Sequence, residues 1–370
     1  MKHYRITRFV ITVLFLFAGV QFAPAIAKPV PDVTEENYTS AFVTTSDFET
    51  GHFATIKIKG KESTAKKYNK AELSSDAITK TIDEKIYVVN RMGQDNITIY
   101  SPQNFKKPLI QFSTGNGSNP HDIVLANSFK AYVSLFEKGY LLVVNPNTGT
   151  ELKRIDISSF ADSDGIPEAD QMVLIDGILY VTLQKLDRYN YYQPVANGEL
   201  LVIDTKSDTI IGSIVLSGQN PYDIIYNELM DKLVISETGS FYDLTDGGIE
   251  TVDPNTHEIS GFILSESAFE GNITEFAMKP LSSQGYMIVT DASYNTSVVR
   301  FDLSEVEILN EVYATYGFYI FGVAVDGENL LLGDRTPKKP GVRIFSTVTG
   351  EQITKKPIKT GLPPYSITFY

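Results

Sequence analysis

A set of four short apolar segments recurs along this chain and restricts the architectures open to it. In the clearest copy the segments are Glu199–Asp204, Thr209–Leu216, Tyr222–Tyr226 and Lys232–Ser236. Each is rich in Val, Ile, Leu or Tyr and ends at a turn that contains Gly, Asn, Pro or Asp, so each predicts a β-strand. One four-stranded sheet of this kind cannot bury both of its faces. Copies must therefore pack side by side.

The copies leave three strands without a partner at the start of the chain and one at its end. The first three are Ala41–Thr45, His52–Ile58 and Ser63–Tyr68, and the last is Tyr365–Tyr370. If the last strand pairs with the first three, seven units close into a ring that has no bare inner edge. The sequence thus predicts an all-β fold over residues 41–370. We expect a seven-bladed β-propeller of four-stranded antiparallel blades, with six or eight blades as alternatives.

The first residues have the features of a secretory signal. Three basic residues precede the apolar run Phe9–Val20, and Ala25-Ile26-Ala27 provides a small-x-small cleavage site. We expect a signal peptide over residues 1–27 and a linker over residues 28–40. An uncleaved membrane anchor is the alternative, although the apolar run is short for a bilayer span. No later stretch is long and apolar enough to cross a membrane.

Composition limits the cellular location and the classes of ligand that we expect for this chain. The chain has no cysteine, which excludes disulfides, lipid attachment at a lipobox and thiolate metal sites. An exported chain without disulfides is typical of bacteria, so we expect a periplasmic or secreted protein. The formal charge is −13, and the signal contributes three positive charges and no negative ones, which leaves −16 after cleavage. Such acidity repels phosphate backbones and argues against nucleic acid as a ligand.

Several turns and strands resemble the repeats of YVTN-type propellers. Residues 141–149, LLVVNPNTG, and 200–205, LLVIDT, are similar to the V-V-D-x-x-T-G turn of that family. Residues 85–90, KIYVVN, are similar to the strand that names it, and residues 119–122, NPHD, resemble its passage into the next blade. The resemblance covers nearly all of residues 41–370. It implies a WD40-like architecture and says little about function, because such propellers serve as cell-surface binders, solute binders and enzyme subunits.

Acidic residues stand where successive inner strands are predicted to begin. They are Asp76, Asp122, Asp170, Asp223 and Glu275, with His121 beside the second, and the pattern lapses at Gly322 and Ser366. Inner strands line the channel of a propeller, so these carboxylates should border one opening. Two interpretations stay open. A Ca²⁺ or similar hard cation neutralises the ring, or each carboxylate accepts a backbone N–H of the neighbouring blade as a structural latch.

A second acidic group lies in the loop before the fourth predicted inner strand. It consists of Asp162, Asp164, Glu168 and Asp170. The D-x-D-G portion is like half of a calcium loop, but the spacing does not continue to the bidentate glutamate that an EF-hand requires. A calcium site and a network of Asx turns would both use these residues. The sequence does not decide between them.

Two long loops connect the second and third strands of adjacent blades. Their notable residues are Asp187, Arg188, Tyr191 and Tyr192 in Gln184–Asn197, and Phe241 and Tyr242 in Glu237–Gly247. Loops of adjacent blades should meet above the same face. Aromatic rings with a few charges on a rigid scaffold are typical of a binding surface. The alternative is that the rings only cover one another.

Catalytic motifs are missing from the sequence. It contains no G-x-S-x-G elbow, no H-E-x-x-H and no phosphate-binding glycine loop. His121 and Asp122 are neighbours on one strand, where side chains are expected on opposite faces. We therefore predict a monomeric, non-catalytic protein that binds a partner protein or small extracellular ligand through the face where the inner strands begin. The alternatives are a Ca²⁺-dependent hydrolase or lactonase that uses the acidic ring, and a cofactor-free subunit of a periplasmic redox complex.

Overall fold

The computed structural model describes residues 39–370. The predicted signal peptide and residues 28–38 of the predicted linker lie outside this range. The regular structure of the described chain is β, apart from three short 3₁₀ turns at Ser158–Phe160, Arg188–Asn190 and Glu266–Ala268. Within the same range, no helix has the length and apolar character needed to span a bilayer.

The strands follow one another in the order that the repeat predicts. In blades 1 to 3 they are β1 (Ser40–Ser46), β2 (Gly51–Lys57), β3 (Thr64–Leu73), β4 (Ile78–Ile82), β5 (Lys85–Asn90), β6 (Asn96–Tyr100), β7 (Ile110–Ser113), β8 (Pro120–Asn127), β9 (Lys130–Leu135), β10 (Tyr140–Val144) and β11 (Glu151–Asp156). In blade 4 they are β12 (Ala169–Ile175), β13 (Ile178–Leu183), β16 (Glu199–Asp204) and β17 (Thr209–Val215), with the small hairpin β14 (Leu186–Asp187) and β15 (Gln193–Pro194) inserted.

The remaining strands complete the ring. Blades 5 and 6 contain β18 (Pro221–Asn227), β19 (Lys232–Glu237), β20 (Gly248–Val252), β21 (Ile259–Ser265), β22 (Gly271–Met278), β23 (Gln284–Asp291), β24 (Thr296–Asp302) and β25 (Glu307–Thr315). Blade 7 contains β26 (Ile320–Val325), β27 (Asn329–Asp334) and β28 (Gly341–Ser346), and β29 (Pro364–Phe369) ends the chain. The predicted seven-bladed propeller is confirmed.

The last strand closes the ring as the sequence predicts. Blade 1 has the strand order β29-β1-β2-β3, so the C-terminal strand is its innermost one. The two strands pair antiparallel, with Ala41 opposite Phe369 and Val43 opposite Ile367. This pairing removes the free inner edge that the first three strands would otherwise expose.

A buried arginine reinforces the seam between blades 7 and 1. Arg335 donates to the carbonyl oxygens of Pro364 at 2.8 Å and Ser46 at 3.0 Å. Its guanidinium lies 4.2 Å from the centre of the Phe48 ring and 5.0 Å from that of Phe321. A delocalised cation that bonds carbonyls in its plane and stacks on aromatic faces suits such a site. Arg335 thus ties the end of β1 and the start of β29 to blade 7.

One predicted strand is wrong. The repeat also predicts an outer strand for blade 7 at residues 354–358, but in and next to this segment only two isolated bridges form, Phe345 to Gln352 and Val342 to Ile358. Pro357 has no N–H to donate, so a regular ladder cannot continue through this segment. In blade 7 the segment after β28 runs beside that strand and touches it at isolated points, without forming a regular fourth strand.

Each blade buries its faces against its two neighbours. The cluster between blades 3 and 4, for example, joins Leu141 and Val143 to Val181 and Leu201, all with no exposed surface. Similar clusters fill the other six junctions. Alternating side chains on every strand therefore face a neighbouring blade, and no blade has an apolar core of its own.

Blade 5 contains a buried pair of carboxyl groups. Glu237 at the end of β19 and Glu250 in β20 are both fully buried. One oxygen of each accepts a backbone N–H, from Gly218 at 2.8 Å and Ser217 at 3.0 Å, while the other has no donor among the described residues. Burial and the adjacent Glu250 raise the pKa of Glu237 to about 10. When Glu237 is protonated, its O–H can donate to the carboxylate of Glu250, so that the remaining oxygen of each residue has a partner.

Glu237→Gln is expected to make stability less sensitive to alkaline pH. Folded Glu237 keeps its proton up to about pH 10, whereas in the unfolded chain it ionises near 4.5. The folded state therefore binds one extra proton between these values, and the free energy of unfolding falls by up to ~1.4 kcal/mol per pH unit as pH rises. Glutamine needs no proton and can still donate to Glu250.

Urea unfolding at several pH values between about 6 and 9 measures this slope. Glu258→Gln, at an exposed glutamate of the same blade, is the matched control and should keep the wild-type slope. Equal slopes for the wild type and Glu237→Gln would contradict the assignment of the proton to this pair.

Candidate functional site

A cavity of about 370 Å³ opens where the inner strands begin. We call this side of the ring the mouth face. The charged residues that line the cavity are Lys80, Arg91, His121, Asp122, Asp170, Asp223 and Glu275. Its aromatic lining consists of Phe136, Tyr222, Phe276, Phe318, Phe321 and Tyr365. The cavity therefore has the mixture of apolar wall and convergent polar groups that is typical of binding sites.

The register of the inner strands explains which side chains reach this cavity. The second residue of four inner strands carries a ring: His121 in β8, Tyr222 in β18, Phe321 in β26 and Tyr365 in β29. The third residues of these strands are Asp122, Asp223, Gly322 and Ser366. Rings thus alternate with small or acidic residues around the mouth.

Several of these third residues bond the next blade. Asp122 accepts the N–H of Met172 at 2.9 Å, and Asp223 accepts that of Phe276 at 3.5 Å. Glu275 accepts N–H groups of blade 7, and the hydroxyl of Ser366 accepts the N–H of Thr79 at 3.3 Å. The run of acidic residues lapses at Ser366 in the sequence, but its hydroxyl makes the same kind of contact with the next blade as the carboxylates do. These contacts have the geometry of latches between neighbouring blades.

The cations of the cavity are all engaged with acceptors of the chain. Lys80 donates to both oxygens of Asp122, at 2.7 and 2.8 Å. Arg91 lies 3.4 Å from the carboxylate of Asp76 and donates to the hydroxyl of Tyr365 at 3.0 Å. Because Lys80 and Arg91 stand among the carboxylates, the mouth carries both charges rather than a purely acidic ring.

His121 is held by a carboxylate and a ring. Its Nδ1 lies 2.8 Å from Oδ1 of Asp170, on the inner strand of the next blade. The imidazole stacks on Phe136 with ring centres 4.3 Å apart. The other oxygen of Asp170 accepts the side-chain amide of Gln184 at 2.5 Å. Asp170 thus orients His121 and joins it to the loop that follows β13.

Asp223 and Glu275 differ from the other cavity carboxylates. Neither forms a salt bridge within residues 39–370, although Lys80 and Arg91 lie near enough to lower their pKa values somewhat. Burial, together with the charge of Glu275, raises the pKa of Asp223 to about 7. Burial also raises the pKa of Glu275 to about 7. Both groups therefore change charge near neutral pH.

Two expectations about the ring need correction. His121 and Asp122 do not face opposite sides, because the pairing of β8 with β9 shifts between Pro120 and Asp122 and both side chains line the cavity. Asp76 does not line the cavity. It lies two residues before β4, where its carboxylate accepts the hydroxyl of Ser74 at 2.8 Å and lies beside Arg91.

The second acidic group is organised by an arginine. Asp164 accepts the backbone N–H of Arg188 at 3.0 Å and its Nε at 3.1 Å, and Arg188 also lies 3.3 Å from Glu137. Asp162 accepts the N–H of Asp164 at 2.8 Å, as an Asx turn does. The predicted binding residue Arg188 thus holds the loop before β12.

Glu168 of this group is buried and engaged with the backbone. One of its oxygens accepts the N–H of Leu186 at 2.9 Å, and burial raises its pKa to about 9. Asp170 points instead to His121 and Gln184. In the part of the chain that the structure describes, no group of three or more His, Asp and Glu side chains is arranged to hold a metal ion.

The two aromatic loops meet above the mouth face. The hydroxyl of Ser240, in the loop after β19, donates to the side-chain oxygen of Gln193 at 2.8 Å. Asp187 caps the turn at Arg188–Asn190 by accepting the N–H of Tyr189 at 2.9 Å. Tyr192 reaches Glu137 and lies near Phe136. Tyr191 and Tyr242 remain 88 % and 76 % exposed.

Exposed aromatic side chains are concentrated on this one face. Ten Phe and Tyr side chains of residues 39–370 are prominently exposed: Phe48, Phe129, Tyr189, Tyr191, Tyr192, Phe241, Tyr242, Tyr294, Tyr316 and Phe318. Nine of them lie in loops that follow a second or an outer strand, and these loops all lie on the mouth face. Only Phe129, between β8 and β9, lies on the opposite face.

Sequence reasoning missed several residues of the site. Lys80 and Arg91 were not singled out because isolated cations carry no motif. Tyr222, Phe321 and Tyr365 had a usable signal, since each is the second residue of an inner strand, as His121 is. In the sequence, His121 and Tyr222 each follow an Asn-Pro pair, and Tyr365 follows a Pro-Pro pair. The proline at the second position of each pair starts the strand, so the residue after it could have been identified.

No protein-family profile matches the sequence, and no curated protein matches it either. The YVTN resemblance therefore stays a prediction.

Solved structures match the fold over most of the chain. A protein of Bacteroides fragilis with the provisional name 6-phosphogluconolactonase gives a TM-score of 0.65 at 12 % identity, covering 91 % of this chain and 99 % of that one. A provisionally named 6-phosphogluconolactonase of Bacteroides uniformis gives 0.64 at 11 % identity, with 90 % and 100 % covered. The dihydro-heme d1 dehydrogenase NirN gives 0.54 at 14 % identity, with 92 % and 76 % covered. At these identities the likeness shows the propeller fold alone.

Removal of divalent cations is expected to leave the melting temperature unchanged. Arg188 already neutralises Asp164, and Glu168 with a pKa of about 9 carries a proton at neutral pH. Asp170 bonds His121 and Gln184, which leaves Asp162, whose pKa burial raises, as the one acid of the group that a cation could use. Thermal melts of the full chain with EDTA, and with added CaCl₂, test this. A fall in melting temperature on chelation that Asp164→Asn abolishes would establish a calcium site instead.

Proposed function

We propose that this chain is a non-catalytic binding protein whose mouth face docks a partner protein. The observation that carries the proposal is the placement of nine of ten exposed aromatic side chains on that face. Aromatic residues are enriched at the cores of protein interfaces, where their large rigid surfaces are desolvated on binding. The proposed setting is the bacterial periplasm or the cell exterior, and it rests on the signal features of residues 1–27.

The arrangement of the face supports docking. The loops that carry Tyr191 and Tyr242 are tied to each other through Gln193 and Ser240, and Arg188 ties the first of them to Glu137. Such bonds hold an aromatic surface in place before a partner arrives, which lowers the ordering cost of association.

The hydrolase alternative has less support. A metal at the acidic ring would have to compete with Lys80 for Asp122 and with His121 for Asp170. This leaves it only the two carboxylates of Asp223 and Glu275. The redox-complex alternative is one case of the present proposal, with a redox protein as the partner. Neither the fold nor its likeness to other propellers selects that case.

Photo-crosslinking gives a direct test of the docking face. Benzoylphenylalanine in place of Tyr242 in the full chain is expected to trap one protein when producing cells are irradiated. The same replacement of Phe129, which is 68 % exposed on the opposite face, is the matched control and should trap none. Trapping at both positions, or at Phe129 alone, would contradict the assignment.

Substitution then measures the contribution of the rings. Tyr191→Ala with Tyr242→Ala should lower the amount of the trapped partner that co-purifies by at least ~tenfold, because both rings would lie at the interface core. Phe129→Ala should leave it unchanged. Undiminished co-purification with the double variant would overturn the proposed function.

A further inference from the structure

The cavity at the mouth contains two carboxyl groups that lack a paired cation. Lys80 forms its ion pair with Asp122, Arg91 with Asp76, and His121 bonds Asp170. Asp223 and Glu275 face the same space and bond only backbone N–H groups among the described residues. A cation brought from outside would complete their interactions.

The rest of the cavity suits a side chain with an apolar stem. Phe318 and Phe321, whose ring centres lie 5.0 Å apart, form an aromatic wall on the blade 7 side, and Ile320 adds an aliphatic surface there. Phe136 lines the cavity from blade 3. The buried hydroxyl of Thr79 also lines the cavity and has no hydrogen-bond partner within residues 39–370. Lysine and arginine bury a long methylene stem while their charged tip reaches polar groups, and their cations are attracted by aromatic faces.

We infer that the docked partner inserts a lysine or arginine side chain into this cavity, with its stem along the aromatic wall and its cation at Asp223 and Glu275. The inference rests on the proposed function, because the cavity opens in the middle of the aromatic mouth face. Interfaces concentrate their binding energy in such central pockets, which surrounding contacts shield from water.

The charge of the chain favours the same partner. With a formal charge of −13 before any cleavage, the protein attracts basic surfaces and repels acidic ones. A small free amine shares the cationic chemistry, but it would make no use of the exposed rings around the opening. The partner we expect therefore presents a protruding lysine or arginine from a basic surface.

The occupancy of the cavity should depend on pH. Several groups surround the two carboxylates on the neighbouring strands and loops: Lys80, Arg91, His121, Asp122, Asp170, Tyr222 and Tyr365. With pKa values of about 7, Asp223 and Glu275 gain negative charge as pH rises from 6 to 8. A cation should therefore bind more tightly at pH 8 than at pH 6.

Short peptides provide the probe. We expect acetyl-Ala-Lys-Ala-amide to bind the full chain in calorimetry or NMR titration, more tightly at pH 8 than at pH 6. The analogue with norleucine in place of lysine should bind at least ~tenfold more weakly, because it keeps the stem and lacks the cation. Equal binding of the two peptides would overturn the inference. Binding of n-butylamine as tight as that of the lysine peptide would also overturn it, in favour of a free amine.

Neutral variants test the assigned carboxylates. Asp223→Asn with Glu275→Gln keeps oxygens that can accept the backbone N–H groups, and it should lower the affinity for the lysine peptide by at least ~tenfold. At pH 8, where Asp223 and Glu275 are mostly ionised, Asp243→Asn with Glu270→Gln removes a similar charge from exposed loops of the mouth face and should change the affinity little. Equal losses in the two variants would show attraction by net charge alone and would overturn the cavity assignment.

The photo-trapped partner separates this inference from the proposed function. If the Asp223→Asn/Glu275→Gln protein keeps the partner while Tyr191→Ala/Tyr242→Ala loses it, docking stands and the inserted cation is wrong. If both variants lose it and the control variant keeps it, both assignments are supported.

Discussion

Closure of the ring by the C-terminal strand is the constraint on which the rest of this structure depends. No blade has a core of its own, so each buries its apolar faces only because a neighbour stands on either side. The pairing of β29 with β1 provides the missing neighbour for blades 7 and 2. Arg335 reinforces that seam by bonding carbonyl groups from both ends of the described chain.

Closure also creates the mouth and determines its charges. Where the inner strands begin, Asp122, Asp223, Glu275 and Ser366 each bond the next blade, so residues that line the cavity also hold the ring together. The cations of the mouth are taken up by other carboxylates. The two acids left without a cation are thus a consequence of how the blades are joined, and they give the cavity its preference for a positive group.

Architecture was readable from the sequence because strand periodicity and turn chemistry repeat in every blade. Three strands at the start of the repeats and one at the end had no partner, and this predicted that the last strand pairs with the first three. Side-chain partners were not readable. His121 was paired in sequence with Asp122 but bonds Asp170, which comes from the next blade, and a local shift in the pairing of β8 turns both neighbours to one cavity. Arg188 similarly holds an acidic loop 24 residues earlier in the chain.

The most direct test of this account removes the closing strand and then returns it. A chain that ends before Pro364 should show no cooperative thermal transition, because blade 1 loses its inner strand and blades 7 and 2 lose a packed neighbour. Addition of the peptide PYSITFY, residues 364–370, should restore a cooperative transition in a concentration-dependent way. A truncated chain that melts like the full chain without the peptide would contradict the dependence of the fold and its mouth face on ring closure.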